Sequence, residues 1–227
     1  MKPIRISEAF ETVQGEGMFA GVPSLFIRTS GCNLRCHWCD SKYTSWQPDG
    51  DMVAMNNLYP QLRAYKHRHI VITGGEPMLY AEQIGALCES AQFSNKFVTI
   101  ETNGTIWSYA VKPDMWSVSP KLPSAAPESG PERELHLRCG SVRYAEFNRQ
   151  PLVQFKFVAA SQADVDAVGA LVAEHSIKAQ DVWLMPEGVT RDRVLERGVW
   201  LAEVCKERGW NLCLRQHVLM WGGKRGV

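Results

Sequence analysis

Residues 23–40 read PSLFIRTSGCNLRCHWCD, an apolar run that passes through Ser30 and Gly31 into three cysteines, Cys32, Cys36 and Cys39. The run from Ser24 to Thr29 has the composition of a buried strand. It delivers the chain directly into a loop bearing a CxxxCxxC triplet. Three thiolates on one tight loop suffice for three irons of a four-iron cluster and leave the fourth iron without a protein ligand. Thiolates also select zinc, but structural zinc fills four positions. His37 and Asp40 are the only local candidates for the fourth, and His37 would have to fold back beside its own neighbours. No second CxxC follows, and the fourth cysteine and proline of the ferredoxin pattern are missing. Buried or redox cysteines without a metal are the remaining alternative.

Working outward, short apolar strand patterns alternate with helical ones. IRISEAF reads as an opening strand, and ETVQGEGMFAGVP as a glycine-rich acidic turn. After the cysteines, DSKYTSWQPDGDM reads as loop and residues 56–66 as a short helix. HIVIT (69–73) is stopped by Gly74 and Gly75; a helix over 81–92 precedes KFVTIET and then MWSVSP. Residues 121–140, rich in proline, serine and charge, read as an excursion. LVQFKFV, a helix over 162–176, DVWLMP, a helix over 191–208 and WNLCLRQH complete the series. This is the signature of βα units around a parallel sheet. About six fit, too few for a closed eightfold barrel, so the expectation is an α/β fold: an incomplete, open (β/α) TIM-like barrel with a reduced first crossover, in a single domain over 1–227.

The chain has 227 residues, 25 basic and 24 acidic side chains and a net charge of +1. No bulk field draws it to nucleic acid or an anionic membrane. Seven cysteines, four of them scattered singly, argue against a secreted disulfide framework. With no signal-peptide pattern and no membrane-length apolar run, the expectation is a cytoplasmic protein.

Functional groups of such a fold gather at the carboxyl ends of strands. Here those ends are the cysteine loop, Thr73-Gly74-Gly75-Glu76-Pro77, Glu101-Thr102-Asn103-Gly104 and Ser117-Val118-Ser119-Pro120-Lys121. The two glycines leave backbone groups open to a ligand, with Glu76 as an acceptor beside them, an arrangement suited to a zwitterionic amino acid. A plain strand-ending glycine turn is the alternative. No GxGxxG or P-loop pattern is present.

The triplet with an aromatic before its last cysteine, followed by GGEP at the next strand, resembles the radical S-adenosylmethionine superfamily. ETVQGEG (11–17), CNLRCHWCDS, TGGEP, ETNGT, SPK (119–121) and the Gln216-His217 pair near the C-terminus resemble, more narrowly, the 7-carboxy-7-deazaguanine synthase (QueE-type) family. The resemblance implies a lyase that contracts 6-carboxy-5,6,7,8-tetrahydropterin to 7-carboxy-7-deazaguanine and releases ammonia. A 5′-deoxyadenosyl radical would abstract hydrogen from C6, with the protein supplying position and electrostatics. It also implies a [4Fe–4S] cluster on Cys32, Cys36 and Cys39, and S-adenosylmethionine near Trp38, Gly74, Gly75, Glu76, Glu101, Ser117, Ser119 and Lys121. Mg2+ would sit at Ser41 or Asp40, and the carboxylated tetrahydropterin at Glu11, Gln14, Glu16, Arg28, Gly75 and His217. A flavodoxin or similar electron donor and a homodimer belong to the same implication. Arg28 could instead form a structural ion pair with Glu11 or Glu16. Lys156 either enters the barrel or lies outward. An activating enzyme that installs a glycyl radical on a protein, or a zinc-binding interaction module, are the rival readings.

Overall fold

A computed structural model describes residues 2–227. Nine strands form one sheet in the order β3-β1-β2-β4-β5-β6-β7-β8-β9. In chain order the elements are β1 (Ile4–Val13), β2 (Pro23–Thr29), α1 (Lys42–Ser45), β3 (Asp51–Val53), α2 (Met55–Ala64), β4 (His69–Gly74), α3 (Ala81–Phe93), β5 (Phe97–Thr102) and β6 (Met115–Val118). They continue with α4 (Pro131–Cys139), α5 (Tyr144–Phe147), β7 (Val153–Ala159), α6 (Gln162–Glu174), β8 (Val182–Pro186), α7 (Arg191–Arg208), β9 (Asn211–Leu212) and α8 (Gln216–Trp221). From β2 to β9 every neighbouring pair is parallel, and the sheet does not close. The open, incomplete barrel expected from the alternating pattern is the observed architecture.

Several boundaries differ from expectation, each for a local reason. β1 is ten residues long and lies antiparallel between β2 and the edge strand β3, so it stands outside the parallel βα series. The segment expected as loop after the cysteines holds one turn of α1 and the edge strand β3. The 121–140 excursion contains α4, started by Pro131 in the first helical turn, where a missing N–H costs nothing. The last strand is only Asn211–Leu212, and Gln216 and His217 begin α8.

The two faces of the sheet divide the labour. Leu25, Ile27, Ile70, Ile72, Val98, Ile100, Val118, Phe155, Phe157 and Leu184 face the helices and are all buried in the main apolar core. At about 1.5–3 kcal/mol for each such side chain, this layer holds the helices on. Alternate positions point the other way and include many polar side chains, Ser24, Arg28, Thr73, Thr99, Glu101, Ser117, Gln154 and Lys156, interspersed with Phe26, Val71, Met115 and Val158. The period of two thus turns nearly continuous apolar strands into a polar inner wall.

At the amino-terminal end of that wall, His69 is 4% exposed and bonded on both ring nitrogens, to Ser24 Oγ at 2.7 Å and Thr99 Oγ1 at 2.8 Å. Ser24 Oγ donates to the Val22 carbonyl at 2.8 Å, so Nδ1–H donates to Ser24 and Nε2 accepts from Thr99. Burial pushes the His69 pKa down to about 4. The unfolded chain takes up this proton first, near the ordinary value of about 6.5. Stability contributed by neutral His69 is therefore present above that value and lost as pH falls toward 4. Urea unfolding at pH 8 and pH 5 should show about 2 kcal/mol lost through this residue. His69→Gln should lose that much less over the same interval, and equal losses in both proteins would refute the assignment.

Candidate active site

The cysteine loop is held from three sides. Leu34, Cys36 and Ala125 form a small buried cluster against which Cys32, Trp38, Cys39 and Cys139 pack. His37 N donates to the Ala125 carbonyl at 3.0 Å, and Trp46 Nε1 to the Cys36 carbonyl at 3.1 Å. Asn103 Nδ2 donates to Asn33 Oδ1 at 3.0 Å, and Asn33 Nδ2 to Thr105 Oγ1 at 2.8 Å, tying the loop to the end of β5. Among the described residues no three His, Cys, Asp or Glu side chains already stand as a metal site. The donor chemistry nonetheless suits an iron–sulfur cluster. The thiols share one loop, Cys32 Sγ takes an N–H from Leu34 at 3.4 Å, and Cys39 Sγ lies 3.3 Å from Ser45 Oγ. Burial pushes Cys32 up to about 12 and Cys36 to about 11, so both thiols stay protonated unless a metal charge supports the thiolate.

The TGGEP turn is built against this loop. A Cβ on Gly75 would collide with the Gly31 carbonyl oxygen, and one on Gly74, whose φ is +148°, with Thr29. Gly75 N donates to Thr29 O at 3.2 Å and Glu76 N to Gly31 O at 2.8 Å. The glycines therefore permit close approach of β4 to the thiol loop, and the N–H groups of Gly75 and Glu76 are spent on that approach. Glu76, 0% exposed, accepts from Met78 N (2.9 Å), Thr102 Oγ1 (2.7 Å) and Asn103 N (2.7 Å). Its carboxylate is occupied in joining two strand ends.

A second group of side chains lies on the inner wall. Gln14 is 4% exposed; its Nε2 donates to Glu101 Oε1 at 3.1 Å, and its Oε1 accepts from Glu16 N at 3.1 Å. Thr73 Oγ1 donates to Glu101 Oε2 at 3.0 Å. Lys156, 3% exposed, sits 2.5 Å from Glu16 Oε2 and 3.8 Å from Glu101 Oε1. Glu16 also meets Arg215 Nε at 3.2 Å, and His217 Nε2 lies 3.9 Å away. Burial works against the charge on Glu16, but Lys156, Arg215 and His217 hold its carboxyl far below the usual carboxylate range. Gly15 and Gly17 allow this packing: a Cβ on the first would strike His217, and on the second Gln154. Gln154 in turn takes Met18 N and donates to Ser117 Oγ.

The remaining expected residues fall into place less evenly. Glu11 is exposed on β1 and does not join the group, because the pleat turns it outward from Phe10 and Thr12. Glu101, expected on the cofactor side, lies with Gln14 and Lys156. Ser117 is 1% exposed and held by Gln154. Ser119 and Lys121 lie together at 2.7 Å, with Lys121 Nζ 5.8 Å above the Trp38 ring. Arg28 does form an ion pair, with Glu8 at 2.6 Å and with neither Glu11 nor Glu16. Ser41 Oγ donates to Asp40 Oδ1 at 2.9 Å, and Asp40 pairs with Arg215. Two cations escaped sequence reasoning: Arg215 and Arg225. Arg225 bonds Ser7, Glu8 and Asp49 and lies 3.9 Å over the Tyr43 ring, closing the tail over β1. A lone arginine near a terminus carries no local signal for such a role.

Beyond Trp38 opens a cavity of about 370 Å³ lined by His37, Trp38, Val158, Ser161, Asp164 and Glu187 among others. The radical SAM superfamily model matches residues 26–138. A 7-carboxy-7-deazaguanine synthase from Rhodopirellula baltica is 34% identical over 98% of this chain and 88% of its own length. One from Halobacterium salinarum is 38% identical over 95% of this chain and 90% of its own. The chain belongs to the 7-carboxy-7-deazaguanine synthase family. The crystal structure of QueE from Escherichia coli superposes with a TM-score of 0.69 at 25% identity, covering 95% of both chains. The radical SAM family chemistry rests on a [4Fe–4S] cluster and S-adenosylmethionine.

Gly75→Ala should displace the thiol loop from β4 while leaving the sheet intact. After anaerobic reconstitution it should hold clearly less iron per chain than the parent, with an unchanged far-UV circular dichroism spectrum. Full iron retention would show that the close approach is dispensable.

Proposed function

We propose that this chain, as a single domain over residues 1–227, catalyses the radical ring contraction of 6-carboxy-5,6,7,8-tetrahydropterin to 7-carboxy-7-deazaguanine with loss of ammonia, the step that feeds queuosine-type 7-deazapurines. The observation that carries this is the inner-wall group of Gln14, Glu16, Glu101 and Lys156, set beside a three-cysteine loop in a chain whose relatives bear that synthase name. The protein-activating and zinc-module readings find no support in these relatives.

Cys32, Cys36 and Cys39 are the proposed ligands of the cluster. When bound, the reduced cluster and S-adenosylmethionine supply a 5′-deoxyadenosyl radical that takes hydrogen from the substrate. The proposed residues for holding that cofactor are Trp38 and Lys121 with Ser119, on the side of the 370 Å³ cavity, and the Gly74-Gly75-Glu76 turn through its carbonyl oxygens. Gln14 offers an amide, and Glu16 a fixed anion, to the pterin edge. Arg28 offers a planar donor fork to the substrate carboxylate, provided Glu8 shares it. His217, 3.9 Å from Glu16 Oε1, has its pKa lowered first by burial and faces the same pocket as a polar contact for the substrate.

Magnesium is proposed at Ser41. A hydroxyl with substrate oxygens and waters suits a hard octahedral ion, whereas the Asp40 carboxylate is drawn to Arg215 and serves as a brace. A flavodoxin-like donor, a homodimeric assembly and a cytoplasmic setting complete the proposal. Among the described residues no helix is long and apolar enough to cross a membrane.

Anaerobic incubation of the reconstituted, reduced protein with S-adenosylmethionine, magnesium and the carboxylated tetrahydropterin should yield 5′-deoxyadenosine and 7-carboxy-7-deazaguanine together. Cofactor cleavage without a deazapurine would remove the substrate assignment.

A further inference from the structure

Arg215 lies in the WNLCLRQH run, which assigns it no role, yet three segments converge on it. It lies between β9 and α8 and is 7% exposed. Each guanidinium nitrogen reaches a different segment: Nε donates to Glu16 Oε1 at 3.2 Å, Nη1 to the Gly188 carbonyl oxygen at 2.6 Å, and Nη2 to Asp40 Oδ2. Glu16 lies in the 14–17 loop, Asp40 directly follows Cys39, and Gly188 lies in the turn after β8. A lysine, being a point charge, does not span three such directions; a planar fork does.

Glu16 is shared. Its Oε2 faces Lys156 and its Oε1 faces Arg215, so both carboxylate oxygens are engaged. A ligand donor that takes Oε1 displaces Arg215, which then falls to its other anion. That anion is Asp40, on the more exposed side of the pair, one residue from Cys39 and hydrogen-bonded to Ser41. We infer that Arg215 is a positioning residue that sets the thiol loop in register with the 14–17 loop, so that occupation of Glu16 changes the restraint on residues 36–44. The role assigned to substrate here rests on the pterin reading above; the link between the two loops does not.

The test uses cluster-loaded protein kept oxidised, so that no turnover occurs, and reads amide hydrogen exchange by mass spectrometry. Glu16→Gln, which leaves Arg215 to Asp40, should slow exchange in residues 36–44 by about fivefold, and adding it to Arg215→Gln should change little, since the coupling runs through one residue. Arg215→Lys should not restore the parent pattern. The probe 6-carboxypterin should slow exchange of 36–44 in the parent. It should bind Arg215→Gln about tenfold more weakly and leave that segment unchanged. Should Arg215→Gln fail to fold, Asp40→Asn supplies the same comparison in reverse: it leaves Arg215 to Glu16 and should slow exchange at 14–17. Additive effects, or a 36–44 segment indifferent to Glu16→Gln, would overturn the coupling. A parent that ignores 6-carboxypterin would defeat the pterin reading instead, while the Glu16 and Arg215 comparison still decides the link.

Discussion

A lysine on a central strand, almost wholly removed from water, is the constraint to which the rest of this molecule answers. Lys156 lies on β7 between Phe155 and Phe157, which point into the apolar core, and its own side chain points to the opposite face. An unpaired ammonium there would be untenable, and removing one partner of a buried pair costs about 3–5 kcal/mol. Glu16 and Glu101 answer that demand. Glu101 comes with its strand, but Glu16 can arrive only if the 14–17 loop folds down onto the inner wall. The glycines at 15 and 17 make that descent sterically possible, and Gln14 is carried in with it.

From this pairing the geometry propagates in both directions. Toward the amino-terminal ends of the strands, Gln154 and Ser117, then Thr99, His69 and Ser24, continue the polar wall with every hydrogen-bonding group answered by a neighbour. Toward the carboxyl ends, Glu16 passes its second oxygen to Arg215, and Arg215 meets Asp40 beside the thiol loop. The thiol loop is fixed from its other side by Glu76, Asn103 and Asn33. Two regions that would carry different parts of the chemistry are thus held by one connected set of charge-assisted and neutral hydrogen bonds, which favours preorganisation over rearrangement at the moment of reaction.

Much of this was legible in the chain itself, for reasons that can be named. Parallel strands buried on both faces give short apolar runs, and HIVIT, TIET and QFKF stood out accordingly; the cysteine spacing and the strand-end motifs lay at the ends of those runs. What escaped was whatever depends on contacts between distant residues. The outward turn of Glu11 follows from the pleat of a strand whose length was underestimated. The internal use of Glu76 follows from two backbone N–H groups, at Met78 and Asn103, that no side-chain pattern reveals. Arg28 found Glu8 because of the antiparallel register between β1 and β2. Arg215 and Arg225 gained their partners only through the return of the chain's end to its beginning. The helical start at Gln216 similarly reflects docking, since Gln216 N is held by the Gly15 carbonyl.

The central claim is that the inner wall presents C6 of a carboxylated tetrahydropterin to a radical generated above the thiol loop. Substrate deuterated at C6 tests it most directly. Single-turnover reaction followed by mass spectrometry should find the deuterium in 5′-deoxyadenosine, accompanied by 7-carboxy-7-deazaguanine. Unlabelled 5′-deoxyadenosine beside the same product would place the abstraction elsewhere and contradict the account.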